Sequence, residues 1–205
     1  YTRTQSKAKC GCGSQRRCPP PPPLLSNLSN LSDLFLESFE YSISLGCKFI
    51  ETDVQVSSDG IPYIFHDNDL KRICNLPYKF DSLSSQKIDD LRIFGDHKIP
   101  KLVDALNTFP STSFQIDFKT DEVVNPALEV ISKSNASERV CVASFNSERL
   151  NNVRSTHPHL CISMGPNEVA KTLMSSFGIY RGIVPGDCLQ IPIRYYGVRL
   201  SLIHI

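Results

Sequence analysis

Hydrophobic positions along the chain alternate between helical and extended spacing. In "DLFLESFEYSISLG", Leu34, Phe39 and Ile43 recur at helical spacing, and the segment starts at an aspartate cap and stops at Gly46, which predicts a helix. "CKFIETDVQV" then predicts a strand, "SSDG" a turn, and "IPYIFHD" a returning extended segment. The first predicted unit is therefore a helix followed by a hairpin.

The same alternation continues to the end of the chain. Helices are predicted in "LSSQKIDDLRIF", "IPKLVDALNTF", "NPALEVISKS", "SERLNNVRSTH" and "NEVAKTLMSSFG", and strands in "SFQIDFK", "ERVCVASF", "LCISMG", "IYRGIVPG" and "CLQIPI". Such alternation predicts an α/β fold with a parallel sheet. A barrel and an open doubly wound sheet both fit, but no G-x-G-x-x-G follows a strand, which argues against a dinucleotide-binding fold.

The first 32 residues differ from the rest. Positions 1–18 contain five basic residues and no acidic one, and five consecutive prolines follow at 19–23, which favours a stiff extended segment. We expect residues 1–32 to be disordered or foreign to the fold, and residues 33–205 to form one partial domain.

Composition and charge narrow the possible partners. The formal net charge is +1, so no basic field is available to bind a nucleic acid. The sequence contains no run of about 18 apolar residues, so it predicts no transmembrane segment. Cys141 lies in an apolar strand, where a buried, unreactive thiol is expected.

Charged residues sit at the ends of two predicted strands. Side chains alternate along a strand, so Glu51 and Asp53 point the same way, and Asp117 and Lys119 share the polar face of "SFQIDFK". His66 follows on the returning segment. Taken singly, such residues are often a solvated strand rim or a loop turn. Their order and spacing together favour a site at the carboxyl ends of the strands.

The residue types point to phosphate ester hydrolysis. Three carboxylates, Glu51, Asp53 and Asp117, would repel one another without a cation, and oxygen ligands suit Mg²⁺ or Ca²⁺. Lys119 offers a positive charge to a phosphate oxygen, and His66 can exchange a proton near neutral pH.

One long segment resembles a known family. "GCKFIETDVQVSSDGIPYIFHDNDLKRICN" closely resembles the signature of the glycerophosphodiester phosphodiesterase family: an E-x-D at a strand end, a "DG" turn and an "HD…L.R" segment. "KIPKLVDAL", "FQIDFK" and "VASFNSERLNNVRSTHPHL" are similar to later family segments, and "LQIPIRYYG" to its seventh-strand region. The resemblance covers roughly residues 34–200.

The resemblance implies a TIM (β/α)8 barrel with a divalent metal, Mg²⁺ or Ca²⁺. It implies metal ligands at Glu51, Asp53 and Asp117, a catalytic His66, and Lys119 near the substrate phosphate. Asp117 stands where the family more often has glutamate. The implied substrates are small phosphodiesters such as glycerophosphocholine and glycerophosphoethanolamine, hydrolysed to glycerol 3-phosphate and an alcohol.

The chain departs from the family pattern at both ends. The family's first-strand "HRG", which supplies a second histidine and an arginine, does not occur in the sequence, and an eighth strand is not recognisable. We therefore expect an incomplete barrel, a sequence truncated at both ends, and an inactive chain as it stands. The resemblance leaves two alternatives open: a non-catalytic member that binds a metal or phosphodiester, and a lysophospholipase D-like relative.

Overall fold

The computed structural model describes residues 34–93, 97–189, 194–195 and 198–199. The expectation for residues 1–32 and the predicted aspartate cap at position 33 lie outside these ranges. Within them, no helix combines the length and the hydrophobicity needed to span a bilayer.

The first half of the chain forms the predicted helix and hairpin. Gly46 adopts a φ of 87°, a left-handed conformation that ends the first helix, and Gly60 has a φ of 82° in the hairpin turn. The elements are α1 (Leu34–Ser44), β1 (Phe49–Val56), β2 (Pro62–Ile64), α2 (Lys71–Cys74), a 3-10 turn (Phe80–Ser82), α3 (Ser85–Asp90) and α4 (Leu102–Thr108).

The second half repeats strand and helix. The elements are β3 (Ser113–Phe118), α5 (Val124–Lys133), a 3-10 turn (Ser137–Arg139), β4 (Val140–Ala143), α6 (Ser147–Thr156), β5 (Cys161–Ile162), α7 (Pro166–Ser176), β6 (Arg194–Tyr195) and β7 (Val198–Arg199). The last two strands form a separate antiparallel pair, which the sequence pattern did not predict. Helix α2 was not predicted either, and the predicted strand "CLQIPI" lies mostly outside the described residues. The remaining helices and strands, apart from one discussed below, confirm the predicted alternation.

The main sheet has five strands in the order β2-β1-β3-β4-β5. Strands β1, β3, β4 and β5 are parallel, and only β2 is antiparallel, as the returning arm of the hairpin. Successive parallel strands that are neighbours in space, each joined to the next through helices, are the arrangement of a (β/α) barrel.

The two faces of the sheet have opposite character. One face packs against the helices, where Ile50, Val54, Ile116 and Phe118 lie in a buried core with Leu106 of α4. The apolar residues of β3 thus lie on the side opposite its predicted polar face. The opposite, inner face holds the polar side chains that alternate with this core: Glu51, Asp53, Gln115 and Asp117.

One predicted strand is wrong. Residues 179–186, "IYRGIVPG", form no strand, and Ile183 is 94% exposed. Two glycines and a proline disfavour a regular strand here. Instead, Cys188 pairs in parallel with Ser163, directly beyond β5. Cys188 therefore occupies the sheet position next to β5. The assignment of "LQIPIRYYG" to the seventh-strand region stays a prediction. Residues 190–193 of that segment lie outside the described ranges.

Candidate active site

Two carboxylates and one ammonium meet at the carboxyl ends of β1 and β3. Asp53 and Asp117 are direct partners in the parallel register of these strands. The Lys119 Nζ atom lies 2.8 Å from Asp53 Oδ1 and 2.6 Å from Asp117 Oδ2. The structure thus brings three of the predicted residues together, with the lysine ammonium shared between two aspartates.

Burial shifts the pKa values of Asp117 and Lys119. Asp117 is only 8% exposed, and burial raises the pKa of its carboxyl despite the adjacent Lys119 ammonium. Burial alone would lower the pKa of Lys119, but hydrogen bonds to Asp117 and Asp53 outweigh it and raise that pKa. Asp117 Oδ1 is buried and accepts no hydrogen bond from the described residues. This oxygen is therefore a candidate ligand for a cation.

Glu51 lies on the same inner face, one alternation earlier on β1, opposite Gln115. The three predicted metal ligands do not close into one compact set. Among the described residues, only a group of three cysteines places its potential ligand atoms all within 4.8 Å of one another. At the two aspartates, the Lys119 ammonium occupies the position between the carboxylates.

The returning strand fixes His66 beside these acids. The Phe65 backbone N–H donates to the carbonyl oxygen of Asp53 at 3.0 Å. The Phe65 ring is buried and stacks on Phe80, with centroids 4.7 Å apart. Since neighbouring side chains point to opposite sides of an extended segment, His66 faces outward, with 64% of its side chain exposed.

A carboxylate and a guanidinium hold the His66 ring. His66 Nδ1 donates to Asp67 Oδ1 at 2.7 Å, and Arg72 donates to both oxygens of Asp67, at 2.6 and 2.9 Å. Burial opposes ionisation of Asp67, but the hydrogen bonds from Arg72 and His66 prevail and hold its pKa below the usual range. An ionised Asp67 only accepts, so this hydrogen bond keeps a proton on Nδ1 and leaves Nε2 without a partner in Asp67.

A cavity joins the two halves of the site. It has a volume of about 560 Å³, and Gln55 fixes one of its walls by donating to Asn68 at 2.9 Å. Its lining combines the histidine and its partners with the shared lysine: His66, Asp67, Asn68, Asp69, Arg72 and Lys119.

An aromatic side chain that the sequence analysis did not single out borders the site. Phe145 follows directly after β4 and is 84% exposed, and the Lys119 ammonium lies 5.8 Å from its ring centroid. Its position at the carboxyl end of a parallel strand was the available signal, because such ends form the mouth of an α/β barrel.

Comparison with known proteins defines the class and then the family. Residues 32–173 match the model of the "Glycerophosphoryl diester phosphodiesterase family". With the α/β sheet described above, this match defines the class of the protein as a phosphodiesterase-type family that adopts a TIM-barrel fold. The chain belongs to the glycerophosphoryl diester phosphodiesterase family.

Curated relatives with similar sequences carry the same family name. The chain is 30% identical over 167 residues to "Probable glycerophosphodiester phosphodiesterase 2" of Mycobacterium tuberculosis, covering 78% of this chain and 63% of the relative. It is 29% identical over 149 residues to a glycerophosphodiester phosphodiesterase of Caldanaerobacter subterraneus, covering 66% and 61%. The chain thus spans less than two thirds of the length of these relatives.

Solved structures share the fold. A glycerophosphoryl diester phosphodiesterase domain from Mycobacterium tuberculosis superposes with a TM-score of 0.60 at 19% identity, over 70% of this chain and 58% of that one. An Oleispira antarctica phosphodiesterase in complex with the product sn-glycerol-3-phosphate gives 0.58 at 22% identity, over 62% and 58%. These likenesses confirm that the sheet is part of a TIM barrel.

Proposed function

We propose that the protein hydrolyses small glycerophosphodiesters, such as glycerophosphocholine and glycerophosphoethanolamine, to glycerol 3-phosphate and an alcohol. The observation that supports this most directly is the single cavity lined both by His66 with its Asp67 partner and by Lys119, which joins Asp53 and Asp117. Proton exchange and charge neutralisation are the two contributions that this hydrolysis needs.

The acidic residues fit a hard divalent cation, Mg²⁺ or Ca²⁺. Asp117 offers a buried oxygen without a hydrogen-bond partner among the described residues, and all donors in the set are carboxylates. Glu51, Asp53 and Asp117 would hold the ion. When bound, the ion would neutralise charge on the phosphate and polarise its oxygens.

His66 is proposed to move the proton. Its Nδ1–H is held by Asp67, so Nε2 is left to accept a proton from the attacking group or, once protonated, to give one to the leaving group. Asp67 and its Arg72 partner act through the ring, by fixing its orientation. Charge neutralisation is assigned to Lys119 and Arg72, because both line the cavity.

The size of the site and the names of the relatives support the substrate class. A volume of about 560 Å³ falls within the usual range for small-molecule sites. The Oleispira phosphodiesterase was crystallised with sn-glycerol-3-phosphate, which is the product expected here.

A release assay tests the proposal. The chain would be incubated with glycerophosphocholine and Mg²⁺ or Ca²⁺, and glycerol 3-phosphate measured with and without a chelator. The proposal predicts metal-dependent release that His66→Gln abolishes, in contrast to the sequence-based expectation that the chain is inactive as it stands. The matched control is His157→Gln, at the end of α6, where the ring contacts Thr156. Release that survives His66→Gln would contradict the assigned role.

A second candidate is binding without turnover. His66 is the only histidine among the described residues that lines the cavity, and the sequence contains no His-Arg-Gly. Calorimetry with glycerophosphocholine, run beside the release assay, separates the two functions, since heat of binding without product favours the non-catalytic one. Lysophosphatidylcholine as a parallel substrate tests the lysophospholipase D-like alternative.

A further inference from the structure

Three cysteines from distant parts of the sequence meet on the inner face of the sheet. Cys141 of β4 and Cys161 of β5 are direct partners in the parallel register. Cys188 belongs to the segment that pairs with Ser163 beyond β5. The three residues thus come from three consecutive positions of the sheet, although 47 residues separate the first from the last.

Their sulfur atoms are close together and unbridged. All three Sγ atoms lie within 4.8 Å of one another, and those of Cys141 and Cys188 are 3.0 Å apart. All three are free cysteines. Cys141 and Cys188 are half-buried and Cys161 is exposed, so the sequence-based expectation that Cys141 is buried is wrong.

The cluster is separate from the carboxylate site. The register aligns Glu51 with Gln115, Gln115 with Cys141, and Cys141 with Cys161. Parallel strands lie about 4.8 Å apart, so two strand spacings, roughly 10 Å, separate the backbones at Glu51 and Cys141. No cysteine of the cluster lines the cavity that contains His66 and Lys119.

We propose that Cys141, Cys161 and Cys188 form a binding site for a thiophilic divalent cation of the Zn²⁺ type. Sulfur ligands are soft and select such ions over Mg²⁺ and Ca²⁺. Zn–S bonds of about 2.3 Å place tetrahedral sulfur ligands about 3.8 Å apart, within the spacing found here. Each thiol loses its proton to solvent when its sulfur binds the ion, and water completes the fourth position.

The protonation states favour metal binding. Cys141 and Cys188 share a hydrogen bond between their sulfur atoms, and this contact lowers the pKa of Cys188. The same contact, together with burial, raises the pKa of Cys141, so the ion must displace that proton.

A disulfide explains the cluster less well. The sulfur atoms of Cys141 and Cys188 lie 3.0 Å apart, beyond the roughly 2.05 Å of a disulfide bond, and both residues are free cysteines. A bridge between Cys141 and Cys161 would leave the third sulfur unused. A metal ion uses all three.

Metal binding at this site would cross-link the part of the sheet that has the shortest strand pairing. Strand β5 has two residues, and its neighbour is joined to it by an isolated bridge at Ser163 and Cys188. An ion held by β4, β5 and the next segment would cross-link all three, so metal binding would stabilise the fold by mass action.

A titration of the full 205-residue chain with Cd²⁺, in a phosphine reductant, tests this. Cd²⁺ bound to thiolates gives a ligand-to-metal charge-transfer absorption in the ultraviolet. We expect saturation at one ion for the cluster, a higher melting temperature, and competition by Zn²⁺. Cys161→Ser removes an exposed ligand, and should weaken Cd²⁺ binding by about 100-fold or more, since loss of an outer partner alone costs 10–100-fold.

Two controls make the result specific. Cys74→Ser alters a free cysteine that is not part of the cluster, and should bind Cd²⁺ as the unmodified chain does. The triple change Cys10→Ser, Cys12→Ser and Cys18→Ser removes three other cysteines, near the start of the chain, and should also leave Cd²⁺ binding intact. The proposal is overturned if Cys161→Ser, shown by circular dichroism to be folded, binds Cd²⁺ with the same affinity as the unmodified chain. It is also overturned if the triple variant loses the absorption.

Discussion

The ammonium nitrogen of Lys119 lies 2.6 Å from a carboxylate oxygen of Asp117, two residues earlier in the chain. The same nitrogen lies 2.8 Å from Asp53 on the neighbouring strand. One monovalent cation is therefore shared by two carboxylates that are partners in the sheet. A divalent ion at these carboxylates has to compete with Lys119, and this competition is a measurable consequence of the proposed metal site.

Replacing Lys119 with methionine should expose that competition. Without the ammonium, Asp53 and Asp117 face each other unneutralised, and we expect a loss of about 2–3 kcal/mol in the free energy of unfolding. Ca²⁺ should then raise the melting temperature more in the variant than in the unmodified chain. Lys133→Met is the control, because Lys133 pairs with Glu129 on the surface and should contribute almost nothing. Equal Ca²⁺ effects in all three proteins would contradict the account.

Asp67→Asn should reduce catalysis through the orientation of His66. The amide keeps the shape of the side chain but loses the charge that Arg72 and His66 share. We expect kcat for glycerophosphocholine to fall about 10–100-fold with little change in KM. The matched control is Asp69→Asn, in the same cavity, where the carboxylate accepts from the Lys71 backbone N–H. Equal losses in both variants would argue for a general effect of charge.

Phe145→Ala should affect the headgroup. An 84% exposed ring at the barrel mouth can receive a quaternary ammonium on its face, an interaction of about 0.5–1 kcal/mol when exposed. We expect KM for glycerophosphocholine to rise about two- to fivefold, with no change for a diester that has an uncharged headgroup. Phe177→Ala, an exposed ring after α7 at the opposite end of the barrel, should change neither value. Equal changes for both substrates would remove the headgroup role.

Asp59 should give the fold part of its acid sensitivity. Hydrogen bonds from the side chains of Ser57 and Ser85 and from the Ser85 backbone lower the pKa of Asp59 to about 2. A depressed folded-state pKa means that the stabilisation is present above the unfolded value, near 3.9, and is lost as the pH falls towards 2. Because Asp59 is exposed, we expect only about 1 kcal/mol.

The measurement is urea unfolding of Asp59→Ala and the unmodified chain at several pH values. The stability difference should be constant at neutral pH and shrink between about pH 4 and pH 2. Asp104→Ala, on the exposed side of α4, is the matched control. A difference that stays constant down to pH 2 would show that Asp59 does not titrate as described.

Local pattern was enough to predict most of the fold. The helical spacing up to Gly46 and the alternation of Phe114, Ile116 and Phe118 depend on short-range periodicity, and both appear in the structure. The predicted strand at "IYRGIVPG" failed for the opposite reason. Its apolar residues suggest a strand, but Ile183 finds no core to pack against and stays exposed.

Contacts between distant residues were harder to anticipate. The sequence placed Asp53, Asp117 and Lys119 on one face, but only the register of β1 and β3 puts the lysine ammonium between the two acids. The cysteine cluster needs three strands in the correct order, with Cys188 directly beyond β5. Because the prediction inserted an extra strand there, Cys141 seemed isolated.

The most direct test of the central claim is calorimetric titration of Mg²⁺ and Ca²⁺ into the chain and into Asp117→Asn. Asp117 supplies the buried oxygen that accepts no hydrogen bond from the described residues, so its loss should weaken divalent binding by about 100-fold. Asp104→Asn, on the exposed side of α4, should bind as the unmodified chain does. Equal binding by Asp117→Asn and the unmodified chain would contradict a metal site at Glu51, Asp53 and Asp117.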